Sequence, residues 1–181
     1  MPIAGVIASS ISGHLSTNNY FLISQSLPSA VSTVTFSSIP STYKSLQVRF
    51  NLVWSVANAN GVPNIQFNGD TGSNYTYHVI SNNGASTAAA GSITQPSILP
   101  NGNYGAQGIT YPEVGIIDVI DYTNTNKNKT TKALYGFNNN TATGGIAIGS
   151  GLWLSTAAIT SLTIYATVGT FTGTVSLYGI S

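Results

Sequence analysis

The chain contains no cysteine, a single methionine, and only five basic and four acidic residues among 181. Without cysteine there are no disulfides, no thiolate metal sites and no cysteine nucleophile, and the redox compartment stays open. Charge is the larger shortage. Asp, Glu, Lys and Arg make up 5% of the residues, against about a quarter in an ordinary soluble domain. Ser, Thr, Asn and Gly must therefore form most of the surface. A formal net charge of +1 gives little repulsion between copies, so the chain is expected to live inside an assembly or outside a cell. Three of the five basic residues, Lys127, Lys129 and Lys132, are close in sequence. Five cations are too few to hold nucleic acid by counterion release, so that partner is not expected. No hydrophobic run approaches the length of a membrane span. The apolar start IAGVIA, Ile3 to Ala8, is short for a signal segment and follows no positive charge. The expectation is an unprocessed, soluble chain with no membrane partner.

Helical periodicity is missing too: no window with apolar residues at three- and four-residue spacing extends past two turns. In its place is period two. In SLQVRFNLVWSV, Leu46, Val48, Phe50, Leu52, Trp54 and Val56 alternate with Gln47, Arg49, Asn51, Val53 and Ser55, the pattern of a half-buried strand. STVTF, NIQF, YTYHVI, GIIDVIDY, KALYGF, IAIGSGLWL, SLTIYATVGTF and GTVSLYGI share its texture, rich in Thr, Val, Ile and Tyr and mostly set off by Gly, Asn or Pro. Eight to ten such strands predict an all-β fold, an antiparallel sandwich or barrel. One domain accounts for the length. Residues 1–30 are Ser-rich and weakly patterned and are expected to form an arm, leaving 31–181 as the β domain. Asn82 to Gly108 reads as a long connection, with STAAAGS able to form a helical turn and SIL a short strand. No fixed-period repeat is present.

The densest cluster of polar side chains is FNGDTGSNY, Phe67 to Tyr75. As a cation site it is poor, because calcium takes six to eight oxygens and usually several carboxylates, and only Asp70 is charged. As a turn it is well supplied. Asn68 and Gly69 tolerate positive φ, Gly72 adds freedom, and the Asp70 and Asn74 side chains can accept backbone N–H groups. Asp118 and Asp121 in DVIDY lie three apart, on opposite faces of a strand, so they do not form an acid/base pair. The residues after them read as a polar hairpin, Thr123 to Asn128, with a return strand from Lys129. The two histidines, His14 and His78, lack metal-ligand spacing, Glu113 is the sole glutamate, and no G-x-S-x-G elbow occurs. No catalytic, cofactor or metal residue is assigned. The N-x-T triplets at Asn74, Asn128 and Asn139 are expected by chance in a chain this rich in Asn and Thr.

Four stretches together resemble a group of tailed-bacteriophage virion proteins: FSSIPSTYKSLQVRF (Phe36 to Phe50), IQFNGDTGSNYTYH (Ile65 to His78), IIDVIDYTNTNKNKTTKAL (Ile116 to Leu134) and GLWLSTAAITSLTIYATVGTFTGTVSLYGI (Gly151 to Ile180). The opening MPIAGVIASS is similar as well. The resemblance is collinear over most of the chain and breaks at Leu52 to Pro63 and Asn82 to Gly115. It implies a β-sandwich of jelly-roll type in a particle component without catalytic activity and leaves the position on the virion open; the particle surface is the expected location. The expected partners are the major capsid protein or other virion subunits, with further copies of the chain in a homo-oligomer such as a trimer. The leading expectation is a capsid decoration, or cement, protein. The alternative is a tail fibre or receptor-binding protein holding host surface glycans on aromatic side chains such as Tyr104 and Tyr111.

Overall fold

The computed structural model describes residues 19–56, 63–99, 110–138, 140 and 144–181. They form eleven strands: β1 (Tyr20–Ser26), β2 (Thr33–Phe36), β3 (Ser45–Trp54), β4 (Asn64–Phe67), β5 (Tyr75–Asn82), β6 (Thr87–Gln95), β7 (Glu113–Ile120), β8 (Lys129–Phe137), β9 (Gly145–Trp153), β10 (Leu162–Tyr165) and β11 (Phe171–Ile180). No helix occurs among the described residues. Eight strands make one sheet in the order β1-β11-β3-β7-β8-β9-β5-β6, and three make a second, β2-β10-β4. Every pairing is antiparallel. The chain alternates between the two sheets through β1, β2, β3 and β4, and again through β9, β10 and β11. The β5–β6 and β7–β8–β9 segments extend the larger sheet by local antiparallel turns.

The core lies between the sheets, and period two decides which residues enter it. On β3, Leu46, Val48, Phe50, Leu52 and Trp54 are buried, while Arg49 and Asn51 are exposed. The small sheet contributes Val34, Phe36, Ile65, Phe67, Leu162 and Ile164 to the same cluster. Aromatic edges lock its two ends. Trp54 meets Phe171 at 5.3 Å between centroids, and Trp153 lies 5.6 Å from Phe67 and 6.3 Å from Tyr75, separations at which such pairs add attraction beyond buried area.

Three boundaries differ from the sequence expectation. Within residues 1–30, 1–18 lie outside the described residues, and Tyr20–Ser26 is a strand paired along β11. STAAAGS is not a helical turn: Thr87 to Gly91 pair residue for residue with Asn82 to His78. The sheet edge supplies backbone partners that an isolated run of alanines lacks, and tertiary pairing overrides helix propensity. Ile98 makes a bridge to Ile65, so SIL does carry a short extended piece. The strand expected to reach Tyr122 stops at Ile120, because Asp121 takes φ +50° and turns the chain out of the sheet.

Candidate functional site

β4 and β5 belong to different sheets, so the segment between them must redirect the chain. Asn68 and Gly69 have φ of +52° and +68°, and the Asp70 amide donates to the Phe67 carbonyl at 2.9 Å. This is the tight turn that Asn-Gly favours. The Asp70 carboxylate then accepts from the Gly72 amide at 2.9 Å, from Asn74 Nδ2 at 3.0 Å and from the Trp153 indole N–H at 2.7 Å. Tyr75 closes the loop from inside, accepting from the Phe67 amide and donating to the Asp70 carbonyl, both at 3.0 Å. Burial pushes the Tyr75 phenol up to about 12, so it stays a neutral donor. Both Asp70 oxygens are thus engaged by protein N–H groups. Among the described residues no three metal-ligating side chains come together.

The loop from Trp153 to Ser161 is joined to residues from three distant stretches, Ile39, Asn68, and Tyr122 with Lys129. The Asn68 side chain donates to the Ala158 carbonyl at 2.8 Å and accepts from the Thr160 and Ser161 amides at 2.8 and 3.1 Å. The Ile39 amide donates to the Thr160 carbonyl at 3.0 Å, and the Ile159 amide to the Tyr122 carbonyl at 2.9 Å. The Tyr122 hydroxyl donates to the Pro40 carbonyl. Lys129, fully buried, sends its ammonium to the carbonyls of Asn124, Lys127 and Thr156 at 2.5, 3.0 and 3.0 Å. Burial lowers its proton affinity, with Lys127 adding to this, while three carbonyls filling three donor positions act in the other direction. These contacts form a clasp that ties IP, NGD, DYTNTNKNK and WLSTAAIT into one end of the sandwich.

Asn68→Ala should destabilise the fold by about 2–3 kcal/mol, from the lost side-chain hydrogen bonds to Ala158, Thr160 and Ser161 and an alanine forced to positive φ. Asn68→Gly, which loses the same bonds without the backbone cost, should lose about 1 kcal/mol less; urea denaturation of both variants separates the two terms. Asp70 supplies a pH dependence. Its carboxyl is held below the ordinary range, chiefly by the Trp153 N–H, with burial opposing and Gly72 and Asn74 assisting. A carboxyl lowered by folding stabilises above the unfolded value, about 3.9, and that contribution fades as pH falls through the folded value. Stability of the wild type should therefore drop below about pH 4, with Asp70→Asn giving a shallower slope in denaturation midpoints taken from pH 6 to 2.

The other carboxylates are also engaged. Glu113, fully buried, accepts from the Trp54 indole at 2.6 Å. Asp118 accepts from Gln47 at 2.7 Å and faces Lys132 at 3.7 Å, and Asp121 pairs with Lys127. His78 is exposed on β5, and Tyr111 is 38% exposed. Tyr104, His14 and Asn139 lie outside the described residues.

The sequence reading missed a surface. On the outer face of the large sheet, Ile116, Leu134, Ile148 and Ile80 are register partners across β7, β8, β9 and β5, each 40–61% exposed. Val114, Ile120 and Ile146 widen this row on the same face. A groove of about 470 Å³ runs beside it past Val114 and Gly136, and another of about 420 Å³ past Lys132, Ser150 and Ala89. One signal was available: VGIIDVI and IAIG are apolar at consecutive positions, the mark of strands covered on both faces. Among the described residues the inner face alone is covered.

Comparison with protein families, with curated proteins and with solved structures finds no match to this chain.

Proposed function

We propose that this chain is a non-catalytic structural component of a tailed-bacteriophage particle, a decoration protein carried in many copies on the outside of the capsid. The observation that carries the reading is the apolar row Ile116-Leu134-Ile148-Ile80, which a freely dissolved monomer with so few charges would leave in water. An assembly that covers such a face gains hydrophobic free energy at each contact, and repetition makes modest contacts durable. The four stretches that resemble virion proteins support the same reading. So does the alternation of strands between sheets, from which we read the winding as a jelly roll. The absence of catalysis is supported by the carboxylates: Asp70, Glu113, Asp118 and Asp121 are each taken up by an indole, an amide or an ammonium group.

The test is the location and copy number of the chain in purified particles, by quantitative mass spectrometry and antibody labelling. Hundreds of copies over the shell, with particles less resistant to heat when the gene is removed, are expected. A few copies at the tail tip, with binding to isolated host envelope glycan through residues such as Tyr111, would establish an adsorption role instead. Absence from the particle would overturn both.

A further inference from the structure

We infer that the outer face of the large sheet packs against the same face of a second copy of this chain, about a two-fold axis parallel to the strands between β8 and β9. The inference rests on reading that face as an interaction surface and names its occupant. Three observations favour a second copy. The first is area. Six strands lie side by side, β3, β7 and β8 on one side of the axis and β9, β5 and β6 on the other. At about 4.8 Å per strand and 3.3 Å per residue the face measures roughly 29 by 20 Å, about 580 Å². Two such faces remove about 1,200 Å² from solvent, the lower end for a specific interface.

The second observation is self-complementary order. Register places Ile116, Leu134, Ile148 and Ile80 in one row, with Asp118, Lys132, Ser150 and His78 in the next. Rotation about the stated axis sets Ile116 against Ile80 of the second copy and Leu134 against Ile148. In the neighbouring row Asp118 meets His78, an acid against an imidazole, and Lys132 meets Ser150. No like charges are brought face to face. A two-fold contact of this kind is isologous and closes at two copies. Third, the grooves beside the apolar row, floored by Gly136 and Ala89, leave room for side chains from the opposing sheet to interdigitate, as packed sheets do at about 10 Å separation.

The test uses the purified full chain without any particle, so its failure is distinct from failure of the particle assignment. Sedimentation at 10–200 µM should give twice the 18.7 kDa of one chain. Leu134→Asp with Ile148→Asp should weaken association at least 100-fold, while Leu27→Asp, at an exposed site in the β1–β2 connection, should leave it unchanged. Unchanged tryptophan fluorescence and melting temperature would show that both proteins fold. Because the chain has no cysteine, geometry can be read directly. Asp118→Cys protein mixed with His78→Cys protein should be joined by a short bis-maleimide reagent that spans about 10 Å, the separation of packed sheets, whereas Leu27→Cys protein should not join either. A monomer at all concentrations, a trimer, association unaffected by the double Asp variant, or no mixed cross-link would each overturn the proposal.

Discussion

Replacing Lys129 with methionine is expected to cost about 3–5 kcal/mol of stability, more than any surface change in this protein. Methionine matches the length and apolar stem of lysine, so packing changes little; what disappears is the donor. The carbonyls of Asn124, Lys127 and Thr156 all point at the ammonium, and a buried acceptor stripped of its partner costs about 1–3 kcal/mol. The Asn124 and Lys127 carbonyls belong to the β7–β8 turn and can rotate toward water, which keeps the total below the sum of three full penalties. The Thr156 carbonyl sits in the clasp, so its loss also loosens the seat of Asn68 and Trp153. For a chain of this size the melting temperature should fall by about 6–20 °C, measurable by circular dichroism. A change under 1 kcal/mol would mean that the ammonium merely fills space. Lys129→Arg should fail in a different way, since a planar fork cannot direct three donors to carbonyls set around a point charge.

Lys129 also shows where sequence reading stops. NKNKTTKAL suggests a solvated, basic hairpin, and Lys127 and Lys132 fit that, both exposed. Lys129 opens a strand on its buried face, and alternation places it there: Lys129, Thr131, Ala133, Tyr135 and Phe137 are the inward set of β8. Period two was therefore enough to locate the residue but could not say what its charge would meet, because the acceptors come from Asn124 and from Thr156, in a distant loop. The same holds for the indoles. Nothing local in LVWS or GLWL indicates that Glu113 and Asp70 will hold them. The positions of β2 to β5 and β7 to β11, the all-antiparallel class and the turn at Asn68-Gly69 were legible because each is set by local pattern, whereas β1 and β6, weakly patterned edge strands, were not. The clasp was not legible, because its partners, Ile39, Asn68, Tyr122, Lys129 and the loop after Trp153, are far apart in sequence and meet only in the fold.

The clasp and the outer face divide the labour of the sheet. At one end of the sandwich polar groups are spent on one another, leaving the β4–β5 turn no free oxygen on Asp70. Across the face, apolar groups are left unspent. The few charges present are also partly taken up inside the fold: two of the four carboxylates hold tryptophans and one of the five cations is buried. Few ionised groups remain to keep copies apart, which is the condition under which an exposed row of Ile and Leu drives association rather than merely tolerating water.

Gly173→Ala is expected to cost at least about 3 kcal/mol, and at 37 °C to leave much of the protein unfolded or aggregated. Two penalties coincide at this position. Its φ is +142°, a conformation that costs a residue with a Cβ about 1–3 kcal/mol. There is also no space, because an added Cβ would lie 2.1 Å from the Asn51 carbonyl oxygen, an atom of the central strand β3 that cannot swing aside without breaking its pairing. The glycine amide meanwhile donates to the Pro28 carbonyl at 3.0 Å, fixing the passage from β1 to β2 against the start of β11. Alanine would have to break either that bond or the β3–β11 register, which joins β1 and β11 to the rest of the large sheet. In FTGTV nothing marks Gly173 among the 19 glycines of the chain, whereas Gly69, also at positive φ, has no atom within 4 Å of the Cβ position. Gly69→Ala should therefore cost only the backbone term, about 1–2 kcal/mol. Parallel urea titrations of the two variants check the difference: equal losses would mean that strain in φ alone matters, and a larger loss at Gly173 that the close approach to β3 is what the glycine is for.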